Sequence, residues 1–148
     1  MTKKKNVLVI DGQGGRIGRL LVEAIVKNCD AEVTAVGTNS IASANMMKGG
    51  AHHMATGENP VVVAARTADL IVGPVGIAVA DALLGEVTPA MAAAVGQSRA
   101  RRILIPMNRC ETQIVGVPPL TTAQLLDAAV QAVQRALQNE ECSAIIEL

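Results

Sequence analysis

Four glycines, Gly12, Gly14, Gly15 and Gly18, crowd into seven residues directly after the apolar run Asn6-Val-Leu-Val-Ile-Asp11. Glycine lets a backbone come close to an anion, and a helix that starts there points free N–H groups and a positive dipole end at it. Gly12, Gln13, Gly14, Gly15, Arg16 and Ile17 therefore read as a cradle for a phosphate or similar anion. The dinucleotide fingerprint G-x-G-x-x-G is met only in part. Counted back from Gly18 through Gly15 it puts Gln13 at the first glycine, and counted from Gly12 through Gly14 it ends on Ile17. The acid expected about twenty residues on, for the ribose hydroxyls, is missing. Thr38 and Asn39 stand there instead, neutral polar groups suited to a ribose or a 2′-phosphate. A nucleotide or dinucleotide, NAD or NADP among them, is the expected ligand. The competing reading is a tight turn with close helix–strand packing. Replacing Gly15 with a bulkier residue should separate the two, by losing binding in one case and stability in the other.

Other turns carry further candidates. Gly73, Pro74, Val75 and Gly76 form either a second backbone-lined wall or a plain turn. Cys110, flanked by Arg109 and Asn108, is the cysteine placed for thiol chemistry; Arg109 would favour a thiolate and Asn108 an oxyanion. No histidine shares that loop to act as a base, so a buried, inert thiol is the alternative. Asp11 and Glu58 lead the candidates for acid–base work, with Asp81 and Glu86 behind them; solvated or helix-capping roles compete for each. His52 and His53 would point to opposite faces of a strand, and no cluster has zinc spacing, so no metal site is expected. Cys29 and Cys142 receive no role.

These turns need strands to present them. Asn6–Asp11 reads as a buried parallel strand, and Ile17, Leu20, Leu21, Ala24 and Ile25 fall on one face of a helix from Arg16 to about Lys27. Residues 31–36 complete a βαβ unit of about thirty residues. Ser40 caps a helix through Met47, stopped at Gly49 and Gly50. Further strands are expected at 51–55, 69–72, 102–105 and 113–117. Helices are expected at 61–67, 77–84, from Pro89 through Val95, and 121–137. The last of these turns Leu126, Val130, Val133 and Leu137 inward. Such alternation specifies an α/β, Rossmann-like, doubly wound and mainly parallel sheet with helices on both faces. One domain spans residues 1–148, with 1–5 as an arm and 140–148 as a tail or edge strand. Ligands of such sheets sit at the carboxyl ends of the strands, where these turns lie.

Composition narrows the function. Half of the 148 residues are hydrophobic, yet there is no Phe, Tyr or Trp, so no ring can stack on a nucleobase. Thirteen basic residues balance thirteen acidic ones, which leaves no positive field for nucleic acid or a membrane surface. No apolar stretch approaches the roughly 20 residues that span a bilayer. Three cysteines without CxxC spacing suit reduced thiols and a cytoplasmic protein. The surplus of aliphatic residues favours a homo-oligomer.

Several stretches together, Val9-Ile-Asp-Gly-Gln-Gly-Gly15, Gly37-Thr-Asn39, Ala55-Thr-Gly-Glu-Asn59, Gly73-Pro-Val-Gly-Ile77, Leu84-Gly-Glu-Val-Thr-Pro89 and Asn108-Arg-Cys110, resemble the pattern of a bacterial family of short uncharacterised proteins, a domain of unknown function. The resemblance covers nearly the whole chain and implies no catalytic residue. Beside a nucleotide-binding enzyme or sensor, a non-catalytic oligomeric regulatory module and an enzyme using Cys110 remain as readings.

Overall fold

Continuous runs of branched aliphatic residues form strands that can be buried on both faces, and such runs build the centre of a five-stranded sheet. The computed structural model describes residues 3–107 and 112–138. Its strands are β1 (Asn6–Asp11), β2 (Glu32–Gly37), β3 (His53–Thr56), β4 (Leu70–Pro74) and β5 (Arg101–Ile105). The helices are α1 (Arg16–Asn28), α2 (Ser40–Lys48), α3 (Glu58–Ala65), α4 (Pro89–Gln97) and α5 (Thr122–Leu137). All strands are parallel, in the order β3-β2-β1-β4-β5. This is a Rossmann-like α/β sheet.

Alternation along β1 divides the core. Val7 and Val9 join Val33, Ala35, Leu70 and Val72 on one face, packed against Leu21, Val22 and Ile25 of α1, Met46 of α2, and Ala129 and Val133 of α5. Leu8 and Ile10 join Val36 and Ile71 on the other, against Val61 and Ala65 of α3 and Met91 and Val95 of α4. The chain runs outward from β1 through β2 to β3, then returns past β1 to place β4. Strand order thus reverses between β1 and β4, and the connections leaving their ends part to opposite faces, opening a crevice. Register sets Asp11 beside Gly37, so the ends of β1 and β2 stand level.

Several expected boundaries move for local reasons. Asn39, not Ser40, caps α2, because its side chain accepts from the Ala42 N–H; Ser40 is the first helical residue. The third strand falls at 53–56 and α3 starts at Glu58, with Pro60 in its first turn as expected. Residues 77–84 do not form an α-helix. A 3-10 turn, Val75–Ala78, ends in extended Val79, and a loop follows. The Asp81 N–H donates to the Val87 carbonyl and the Val87 N–H to the Ala82 carbonyl, which replaces helical pairing with a closed turn. Residues 113–117 form no strand: Val115 and Gly116 make an exposed turn, and β5 pairs only with β4 among the described residues. Helix α5 forms as expected, opened by a Thr121–Gln124 capping box, with Val130 and Val133 buried and Leu126 and Leu137 packed at the margin of the core. Residues 139–148 lie outside the described residues, so the expected tail or edge strand does too.

Candidate functional site

The first turn is held by one carboxylate. Asp11 Oδ1 accepts from the Gly12 N–H (2.8 Å) and Oδ2 from the Gly18 N–H (2.7 Å), closing the end of β1 onto the first turn of α1. The Gly15 N–H donates to the Gly12 carbonyl, and Gly15 stands at the N-cap in the left-handed region, φ 70°. A Cβ there would meet the Ala42 backbone at 2.5 Å. Gly12 and Gly18 are also packed closely: added Cβ atoms would lie 2.6 Å from Thr38 Oγ1 and 2.5 Å from Met46 Sδ respectively. Gly14 differs. A Cβ there would meet nothing within 4 Å. The N–H groups of Gly14, Arg16 and Ile17 have no acceptor among the described residues, as the start of a helix without a side-chain cap leaves them.

These groups face a cavity of about 850 Å³. Residues 11–17 and Leu20 line one side, Pro74 the floor, Val79–Leu84 a second side, and Met107, Thr112 and Thr122 the end toward β5 and α5. Arg16 is the basic residue of this lining; Asp11 and Asp81 are its acids.

On the β2 side the turn meets Glu86, delivered by the loop after β4. Glu86 Oε1 accepts from the Gln13 N–H (2.8 Å), the Thr38 hydroxyl (2.7 Å) and the Asn39 amide (2.6 Å). One oxygen therefore joins the ends of β1 and β2 to the β4 connection. Asp81, Leu83 and Leu84 adopt left-handed backbone on the way, at φ 66°, 56° and 56°, which lays Leu83 over Gly12.

The expected residues are thus sorted. Gly12 to Ile17 and Asp11 come together at the cavity, and Pro74 joins them. Thr38 and Asn39 adjoin the turn but are bound to Glu86 and, like it, stand outside the cavity lining; Asn39 also caps α2 and donates to the Gln13 carbonyl. Gly73 is buried in β4, where a Cβ would strike the Ile10 carbonyl, so strand spacing explains it. Val75 and Gly76 start the 3-10 turn outside the lining. Glu58 accepts from the Thr88 hydroxyl, also outside the cavity, and ties α3 to the N-cap of α4. His52 Nδ1 accepts from the Val33 N–H, while His53 Nε2 meets Glu32 Oε1 at 2.8 Å, so the two rings do have separate partners. Among the described residues no group of three His, Cys, Asp or Glu could hold a metal. Asn108, Arg109, Cys110 and Cys142 lie outside the described residues. Cys29 is half-buried, and burial pushes its thiol up. Glu86 was recognisable as a site-side carboxylate. Its bond to Gln13, 73 residues away, left no mark in local spacing.

The family model described as Domain of unknown function (DUF3842) matches residues 6–138. The chain belongs to that family. No curated protein matches it in sequence. Among solved structures, a V8 variant of the imine reductase from Myxococcus stipitatus, in complex with NAD+, is similar over 60% of this chain at 28% identity, with a TM-score of 0.38. The DUF3842 chain spans 29% of that protein's length. So partial a likeness shows neither a shared ligand nor a shared reaction.

Two carboxylates of opposite tendency meet at the DUF3842 first turn. Burial pushes the Asp11 pKa up; bonds from the Gly18 and Gly12 N–H groups pull it down, the Glu86 charge adds to the rise, and the net is above the ordinary aspartate range. Burial also pushes Glu86 up, but bonds from Gln13, Thr38 and Asn39 outweigh it and hold the group below the ordinary glutamate range. The consequences for stability have opposite signs. Asp11's contribution is fully present below its unfolded pKa and is lost as pH rises through its raised folded value. Glu86's contribution is present above its unfolded pKa and is lost as pH falls through its lowered folded value. The stability advantage of wild type over Glu86→Gln should therefore shrink between about pH 7 and about pH 3, in urea midpoints followed by circular dichroism. A gap that stays constant or widens would contradict the assignment.

Proposed function

We propose that this DUF3842 chain binds a nucleotide or dinucleotide at the carboxyl edge of its sheet, its phosphates on Gly12–Ile17 and its ribose toward Thr38 and Asn39. Gly14 carries the reading. Backbone conformation or close packing accounts for Gly12, Gly15 and Gly18, but no neighbour or positive φ demands a glycine at 14. Its bare Cα adjoins the cavity, and the N–H groups of Gly14, Arg16 and Ile17, unpaired among the described residues, supply donors of the kind an anion needs. Arg16 adds the cation of the lining. The cavity, at about 850 Å³, is large enough for a nucleotide-sized ligand. NAD and NADP fit this donor set: pyrophosphate would take the free N–H groups, and the aliphatic walls would take a base without stacking. Pro74 is the part of the 73–76 segment that lines the ligand's path. Asp11 holds the turn, with both oxygens engaged on backbone N–H groups, and acts as a positioning residue.

Gly14→Ala isolates the site better than any change at Gly15, where a side chain would disturb the fold itself. The variant should keep wild-type stability within about 0.5 kcal/mol. It should lose NAD+ or NADP+ binding by about tenfold or more in calorimetry, which corresponds to about 1.4 kcal/mol. Undiminished binding would remove the phosphate cradle from this turn.

A second reading, an oligomeric module of a cytoplasmic protein, draws on the β3 edge. Among the described residues β3 pairs with β2 alone, and Ile41 and Met47 of α2, Met54 of β3 and Val63 of α3 are exposed around it. A strand with one open edge flanked by apolar side chains suits a second copy of this chain. Sedimentation equilibrium should then give a dimer or larger species that Met54→Lys dissociates; a wild-type monomer would refute this reading.

A further inference from the structure

We infer that Glu86 reads the ribose of the bound nucleotide and selects a free 2′-hydroxyl over a 2′-phosphate, an inference that rests on the nucleotide site proposed above. Rossmann-type sheets commonly place an acid at the end of the second strand to accept from the ribose hydroxyls. Here β2 ends in Gly37, Thr38 and Asn39, with no acid. Glu86 fills that gap from another direction. The loop after β4 carries its carboxylate across the crevice to the place where Gln13, Thr38 and Asn39 converge.

The two oxygens divide the work. Oε1 is consumed by three donors, one from the first turn and two from the end of β2, so the carboxylate is fixed in place before any ligand arrives. Oε2 has no partner among the described residues, yet it is not a buried unsatisfied atom. It is thus an accessible acceptor beside the phosphate turn, and a hydroxyl can donate to it. A phosphate has no comparable use for it. None of the groups bonded to Glu86 is cationic, Glu86 enters no salt bridge among the described residues, and the Asp11 carboxylate is close enough to be felt. A 2′-phosphate would therefore meet negative charge where enzymes that accept one commonly supply an arginine.

Isothermal titration calorimetry of the full chain with NAD+ and NADP+ tests this. Wild type should bind NAD+ more tightly by about tenfold or more. Glu86→Gln, which keeps an acceptor oxygen for Gln13 and Thr38, should lose that preference by weakening NAD+ and sparing or strengthening NADP+. Equal affinity of wild type for the two, or a preference for NADP+, would overturn the role of Glu86 while leaving the nucleotide site in place. So would an unchanged ratio in folded Glu86→Gln. If wild type binds neither, the nucleotide site itself falls, and this inference falls with it. The wild-type ratio can refute the inference even where the variant does not fold.

Discussion

A buried carboxylate spanning the first turn is the interaction on which the candidate site depends. Asp11 is 6% exposed and carries its charge against a desolvation cost, offset by the Gly12 and Gly18 N–H groups. It does for α1 what an N-cap side chain does elsewhere, but from the preceding strand. Because it satisfies Gly18 and leaves Arg16 and Ile17 open, it also decides which donors remain for a ligand. A conventional cap at position 15 would have taken the N–H groups of the second or third helical residue instead. With glycine at 15, the Gly18 N–H goes to Asp11 and the Ile17 N–H has no acceptor among the described residues.

Glu86 extends this logic across the sheet. Three donors from the ends of two strands converge on its Oε1, which couples the first turn, Thr38 and Asn39 to the loop after β4. Burial is the main cause of the raised Asp11 pKa, and the Glu86 charge adds to it. The site is consequently asymmetric. Toward α1 and Pro74 the cavity offers N–H groups and Arg16, and toward β2, beside the turn but outside the lining, stands the Glu86 carboxylate. A ligand with phosphate at one end and a hydroxyl at the other matches both halves.

Strands were legible because branched aliphatic runs such as residues 6–10 and 70–72 have few other stable conformations. Helices α1 and α5 were legible because their apolar stripes run three turns or more. The sheet order followed from alternation of the elements, and the crevice from the sheet order. Local pattern misled where long-range bonds decide. Residues 77–84 carry helical composition, yet Asp81, Ala82 and Val87 pair into a closed loop. Residues 113–117 are apolar enough for a strand but have no neighbour to pair with among the described residues. The glycines were recognised as a group. Only atomic packing separates Gly73, needed against Ile10, from Gly14, which no neighbour constrains. Glu86, proposed in place of the acid missing after β2, stands 47 residues beyond Asn39 in the sequence, too far for local spacing to reveal.

The central claim is that unpaired N–H groups of the first turn receive phosphate. Amide-resolved nuclear magnetic resonance during titration with NAD+ addresses it atom by atom. The amide signals of Gly14, Arg16 and Ile17 should shift together and saturate at one concentration, while those of α3, around Glu58, stay fixed. Saturable shifts centred elsewhere, or none in these three amides, would contradict the account.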